Sequence, residues 1–143
     1  MLVDANLLLY ASDQESPHHD AAATWPTERL NGPERFGLPW PSLIAYMRIT
    51  TSPRLLEQPL SRAQAWDDVE RWLAAPAAWT PVPTPRHAEV LGCVLAVADA
   101  RGPLVPDAHL AALALEHGVA VASADSDFAR FPEVRWVNPL LDG

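Results

Sequence analysis

Four aspartates follow predicted strands or begin a predicted helix, and together they could hold a divalent cation. Asp4 follows the first apolar run, Asp107 lies in the first turn of a predicted helix, and Asp125 and Asp127 follow a later apolar run. Each has an ordinary explanation when taken singly, because acidic residues interact favourably with the start of a helix and are common in turns. The case for a site therefore depends on all four lying together.

Several carboxylates in one cleft repel one another unless they bind protons or a cation. Two unit charges about 4 Å apart repel by ~4 kcal/mol at an effective dielectric constant of about 20. Oxygen ligands favour Mg²⁺ or Mn²⁺ over zinc, and a divalent ion lowers the pKa of bound water toward neutrality. The pattern thus favours hydrolysis of a phosphodiester without a Ser, Lys or His nucleophile.

The aspartates can share a site only if the elements before them end at one edge of a sheet. Apolar runs predict strands at 1–3, 36–38, 119–122 and 134–137, whereas the proline-interrupted run 79–82 fits either an edge strand or a loop. Capping residues and prolines predict helices at about 7–11, 18–30, 41–52, 62–73, 85–100 and 106–117. This alternation predicts an α/β fold with a central, mainly parallel sheet flanked by helices, in which sites form at the carboxyl ends of the strands.

Length and composition indicate one domain, residues 1–143, in a reducing compartment. The chain has 143 residues and a single cysteine, Cys93, so it forms no intrachain disulfide, which suits the cytoplasm. Cys93 lies in an apolar helix and is expected to be buried and inert. The N-terminus lacks the basic region of a secretory signal, and no apolar run reaches the ~18–20 residues that span a membrane.

The charge balance narrows the function further. The net charge is −8, and all ten basic residues are arginines, so the chain is a poor general binder of nucleic acid. It still suits a nuclease whose metal ions reverse the local field, or a protein with a basic partner. Receiver domains and haloacid-dehalogenase phosphatases also use aspartate clusters, but each needs a lysine, and the phosphatases place a second aspartate where Asn6 stands. The sequence argues against both.

Four motifs, in order, carry a family resemblance. They are Leu-Val-Asp-Ala-Asn-Leu-Leu-Leu-Tyr (2–10), Gly-Leu-Pro-Trp-Pro-Ser-Leu-Ile-Ala-Tyr-Met-Arg-Ile-Thr (37–50), Val-Pro-Asp-Ala-His-Leu-Ala-Ala-Leu-Ala (105–114) and Ser-Ala-Asp-Ser-Asp-Phe-Ala-Arg-Phe (123–131). The chain resembles, over essentially its whole length, the VapC toxins of the PIN-domain family, in the subgroup abundant in mycobacteria. Four ordered motifs are far more specific than any one acidic residue.

The resemblance implies both a fold and an activity. The fold is the PIN domain, and the activity is Mg²⁺-dependent endoribonuclease cleavage, commonly of tRNA or rRNA, with Mn²⁺ as a possible substitute. It also implies a homodimer and inhibition by a cognate VapB antitoxin.

The resemblance also implies roles for particular residues. By motif position, Asp4 and Asp107 are the principal metal ligands, Asp125 is a third catalytic acid and Asp127 is a supporting ligand. Asn6 and Ser123 fall on polar positions near the site, where residues that orient ligands are expected.

One departure from the family pattern concerns the second motif. Many PIN nucleases have a glutamate where Tyr46 stands, and a tyrosine is a poor Mg²⁺ ligand. Because the subgroup shares an aromatic residue there, activity is not excluded, and we expect one metal ion, or a site completed by Asp127 or a substrate phosphate. Two residues later, Arg48 either contacts RNA or an active-site carboxylate, or is an ordinary surface arginine. The helix itself is expected to place Leu43 and Ile44 on its apolar face.

Two other functions remain open. One is a catalytically weak PIN-fold module that binds RNA or the antitoxin, which the Tyr46 departure and the net charge of −8 support. The other is a nuclease that acts on DNA through the same metal chemistry. Cleavage that depends on a metal ion would favour an enzyme over the binding module. Cleavage of a substrate with deoxyribose in place of ribose would test for the DNA nuclease.

Overall fold

The computed structural model describes residues 1–12, 25–26 and 28–142. The elements are β1 (Leu2–Val3), α1 (Ala5–Ser12), β2 (Phe36–Gly37), α2 (Trp40–Thr50), α3 (Arg62–Leu73), β3 (Ala78–Trp79), α4 (His87–Ala98), α5 (Leu104–His117), β4 (Val121–Ala122), the 3-10 helix η1 (Ser126–Arg130), β5 (Trp136–Val137) and α6 (Pro139–Asp142). The helix predicted at 18–30 lies largely outside the described residues, of which 25–26 and 28–30 are helical.

The strands form one parallel sheet with β1 at its centre. The order is β3-β2-β1-β4-β5, and Leu2 pairs with Gly37 on one side and with Val121 on the other. Parallel neighbours need a crossover connection, and helices provide these crossovers on both faces. The predicted α/β fold class is confirmed, and Asp4 leaves the middle of the sheet at its carboxyl edge.

The sheet separates two hydrophobic cores because neighbouring strand residues point to opposite faces. Leu2 and Val121 pack with α4, α5 and η1 on one face. Val3 and Ala122 pack with α1, α2 and α3 on the other. Each β1 and β4 residue is buried, which explains why these strands read as uninterrupted apolar runs.

Prolines and caps set the ends of the elements. The run at 79–82 yields an edge strand that stops at Trp79, before Pro81, since a proline cannot donate a sheet hydrogen bond. Helix α5 begins two residues earlier than expected, with Pro106 in its first turn, where the missing N–H is tolerated. It ends at His117, and the capping residue that follows, Gly118, has a positive φ of 66°, which suits a glycine. Ser61 caps α3 and forms a capping box with Gln64.

Two helix faces differ from expectation. Only Val94 of α4 is buried, and Cys93 is exposed, so the prediction of a buried cysteine is wrong. On α2, Leu43 is buried but Ile44 is 58% exposed. Among the described residues, none of the helices combines the length and apolarity needed to cross a membrane.

Candidate metal centre

Asp4 lies directly after β1 and is held by hydrogen bonds on both carboxylate oxygens. Its Oδ1 accepts from the Ala5 N–H at 2.7 Å. Its Oδ2 accepts from the Ser123 hydroxyl at 2.8 Å and from the Asn6 amide at 3.3 Å. Because three donors fix one carboxylate, its orientation is set before any ligand arrives.

Ser123 and Asn6 join the ends of the two central strands. The Ser123 hydroxyl, which is completely buried, accepts from the Asn6 amide at 3.1 Å and from the Asp125 N–H at 2.9 Å. The Asn6 carbonyl oxygen accepts from the Ala124 N–H at 3.2 Å. The contacts of Asn6 with Ser123 and Ala124 join residues more than a hundred positions apart in sequence. With the Asp125 N–H, they connect Asp4 to the loop that holds Asp125.

Three further carboxylates meet beside this network. One oxygen from each of Asp107, Asp125 and Asp127 lies within 4.8 Å of the other two. Asp107 comes from the first turn of α5, while Asp125 caps η1 and accepts from the Asp127 N–H at 2.8 Å. The group consists of aspartates alone, a donor set that fits a hard, oxygen-preferring cation such as Mg²⁺ or Mn²⁺.

The electrostatics of the centre favour a bound cation. Burial raises the pKa of Asp107 to about 7, with the charges of Asp4, Asp125 and Asp127 adding to the effect. Burial also raises the pKa of Asp4, although the hydrogen bonds from Ser123 and the Ala5 N–H oppose this and Asp125 reinforces it. A cation bound here would relieve the repulsion among these carboxylates and would compete with the proton on Asp107.

Tyr46 uses its hydroxyl and its ring for contacts with α3. Its side chain is completely buried, and its hydroxyl donates to Asp68 Oδ2 at 2.6 Å. Burial, followed by the Asp68 hydrogen bond, raises the pKa of this phenol. Its ring packs edge-on against Trp72, with the centroids 4.8 Å apart. The tyrosine therefore joins α2 to α3.

Arg48 lies in the last turn of α2 and is exposed. No carboxylate of the described residues forms an ion pair with it. An RNA contact by this residue stays a prediction.

A polar network on α5 had no signal in the sequence. His87 Nδ1 lies 2.5 Å from a Glu116 oxygen, and His87 Nε2 lies 3.1 Å from His109 Nδ1. The other Glu116 oxygen accepts from the Thr84 N–H and hydroxyl at 2.9 and 2.6 Å. Burial lowers the pKa of His109, as does His87. The network fixes the start of α4 against α5, and each of these contacts joins two residues more than twenty positions apart in sequence.

Comparisons with known proteins agree with this architecture. Residues 1–134 match the PIN domain. Ribonuclease VapC37 of Mycobacterium tuberculosis is 46% identical over 96% of both chains, and Ribonuclease VapC33 of the same species is 37% identical over 99% of both. The structure of VapBC-1 from nontypeable Haemophilus influenzae matches with a TM-score of 0.70 at 13% identity, over 96% of each chain. The chain belongs to the PIN-domain family, and within it to the VapC proteins.

Proposed function

We propose that this protein is a Mg²⁺-dependent endoribonuclease, the toxin of a VapBC-type toxin–antitoxin pair. The observation that carries the proposal is the meeting of Asp107, Asp125 and Asp127 beside Asp4 at the carboxyl edge of the sheet. Relatives that share 37–46% of its residues over nearly the full length are named ribonucleases, which supports RNA as the substrate class.

In this proposal the four aspartates hold the ion. Asp107, Asp125 and Asp127 supply the converging oxygens, and Asp4 contributes from β1. When bound, Mg²⁺ or Mn²⁺ would supply an activated water and stabilise developing charge on the phosphate. All-carboxylate ligation requires deprotonated ligands, so binding competes with the proton that Asp107 holds more tightly than a free aspartate does.

The surrounding polar residues position the ligands. Ser123 and Asn6 both donate hydrogen bonds to Asp4 Oδ2. The Ser123 hydroxyl also accepts a hydrogen bond from the Asp125 N–H. The Trp136 indole N–H donates to the Ser123 carbonyl at 2.9 Å, which restrains the backbone of that serine. In metal sites, loss of such supporting contacts typically costs ~10–100-fold in metal affinity or activity.

The partners follow from the same proposal. A carboxylate-rich cleft can be blocked by a segment that offers an arginine to the ligands, and we assign this role to a VapB-type antitoxin. Structural neighbours of this chain include VapBC proteins from several bacteria. We further propose a cytoplasmic homodimer in which residues 1–143 form a single domain, with tRNA or rRNA as the target.

A catalytically weak binding module is the second candidate. Tyr46 favours it, because a buried phenol bonded to Asp68 cannot act as the carboxylate ligand of other PIN nucleases. In that case the chain would bind RNA or its antitoxin and would not cleave RNA.

Cleavage of end-labelled total RNA by antitoxin-free protein tests these candidates, with Mg²⁺, with Mn²⁺ and with EDTA. We expect cleavage that needs the metal and that is lost in Asp4→Asn and Asp107→Asn. Asp67→Asn, an exposed aspartate of α3, serves as the matched control and should cleave like the wild type. Folded protein that binds RNA but never cleaves it would favour the module, and equal cleavage of a deoxyribose substrate would redirect the proposal to DNA.

A further inference from the structure

An open pocket of about 490 Å³ lies between α4, the α4–α5 connection and η1. It is lined by Val97, Ala98, Asp99, Arg101, Leu104 and Arg130. Two of the ten cationic side chains of this acidic protein therefore face one cavity. Asp99 adds one carboxylate, so the lining carries a net charge of +1 in a protein whose overall charge is −8.

The pocket shares two structural elements, α5 and η1, with the carboxylate cluster. Arg130 lies three residues after Asp127 in η1, and a 3-10 helix with three residues per turn puts both side chains on one face, ~6 Å apart along the axis. Leu104 precedes Asp107 by three residues on α5, about one turn, and α-helical residues at this spacing are neighbours. Helices α5 and η1, which hold Asp107 and Asp127, thus also line the pocket.

The two arginines are available to a ligand. Arg130 is exposed and forms no ion pair with any described residue. Arg101 pairs with Asp99 at 2.9 Å, but these side chains are 83% and 77% exposed, and such a pair contributes little to stability. A phosphate can therefore replace Asp99 as the partner of Arg101 at small cost.

The arginines, and not the start of α5, supply the attraction for an anion. The N–H of Leu104 donates to the Arg101 carbonyl at 3.2 Å, and that of Val105 donates to the Gly102 carbonyl at 3.0 Å. Pro106 has no N–H to offer. The first turn of α5 is thus already satisfied, and it fixes the backbone of Arg101 at the rim of the pocket.

We propose that Arg101 and Arg130 form a binding site for a backbone phosphate of the RNA, next to the phosphate that is cleaved. This inference rests on the proposed nuclease function. Guanidinium groups match phosphate oxygens in a bidentate geometry. The site explains how a chain with a net charge of −8 holds a polyanion beside a cluster of aspartates.

The test is binding of a fluorescent single-stranded RNA, measured by anisotropy with Mg²⁺ in an Asp4→Asn background. Arg101→Ala and Arg130→Ala are each compared with Arg54→Ala. Arg54 is exposed and follows the C-terminal end of α2, an 11-residue helix about 16 Å long that starts near the carboxyl edge. Both Arg101→Ala and Arg130→Ala should weaken binding roughly threefold to tenfold and reduce the slope of log K against log salt by ~0.7 each. In the active protein, KM should rise while kcat stays within about twofold.

Binding by both variants equal to that of Arg54→Ala would overturn the phosphate site. A second result would also overturn it: inorganic phosphate stabilises the fold through the two arginines, but replacing these arginines leaves RNA affinity unchanged. If the wild type fails to cleave RNA but the two arginine variants still lose binding, the nuclease fails and the phosphate site stands.

Discussion

Replacing Asp107 with asparagine should stabilise the metal-free protein at alkaline pH. The folded state holds the Asp107 proton more tightly than the unfolded chain does, since burial and three neighbouring aspartates raise its pKa from 3.8 to about 7. The ionised carboxylate therefore destabilises the fold. The penalty is small below the unfolded pKa, grows as pH rises between the two values and is complete above about 7. Asparagine removes it without changing the size of the side chain.

The size of the effect follows from the shift. A difference of about three pKa units corresponds to at most ~4 kcal/mol, at ~1.36 kcal/mol per unit. Because Asp107 is only partly buried, solvent screening reduces this to roughly 1–2 kcal/mol. The free energy of unfolding of the variant should exceed that of the wild type by this amount near pH ~8, and by less than half of it near pH ~5.

Urea denaturation in EDTA at both pH values is the assay, and Mg²⁺ provides a second arm. Added Mg²⁺ should stabilise the wild type by mass action and the variant much less. The difference in free energy of unfolding between the two proteins should therefore shrink or change sign. Asp67→Asn should change the free energy of unfolding by less than ~0.5 kcal/mol at either pH. An Asp107→Asn protein that is less stable than the wild type in EDTA near pH ~8 would refute the reasoning.

Three further predictions concern the supports of the site and the sheet. Ser123→Ala removes a hydrogen bond to Asp4 and should reduce Mg²⁺ affinity, measured by calorimetry, about 10–100-fold; unchanged affinity would mean that the serine does not orient the ligand. Tyr46→Phe removes the hydrogen bond to Asp68 and should lower the free energy of unfolding by ~1 kcal/mol with kcat unchanged; a large loss of kcat would assign the phenol a part in cleavage. Gly37→Ala places a Cβ 2.9 Å from a β1 side chain and should cost ~1–3 kcal/mol in thermal denaturation, whereas a neutral result would show that β1 and β2 separate easily.

The sequence alone determined the fold class. Apolar runs, prolines and caps act over a few residues, so the pattern around Leu2–Val3, Pro106 and Gly118 was enough to predict alternating strands and helices. The parallel sheet then follows, because strands joined by helical crossovers are parallel. The prediction that Asp4, Asp107 and the aspartates after β4 leave one edge of the sheet depends on the same local signals.

Only the tertiary structure decided which side chains meet. Cys93 and Ile44 are exposed although their segments are apolar, because each helix turns only part of its surface to a core. The bond from Tyr46 to Asp68 and the link between His87 and Glu116 join residues that are distant in sequence. Local patterns carry no information on such pairs, since the packing angle of each helix on the sheet sets them.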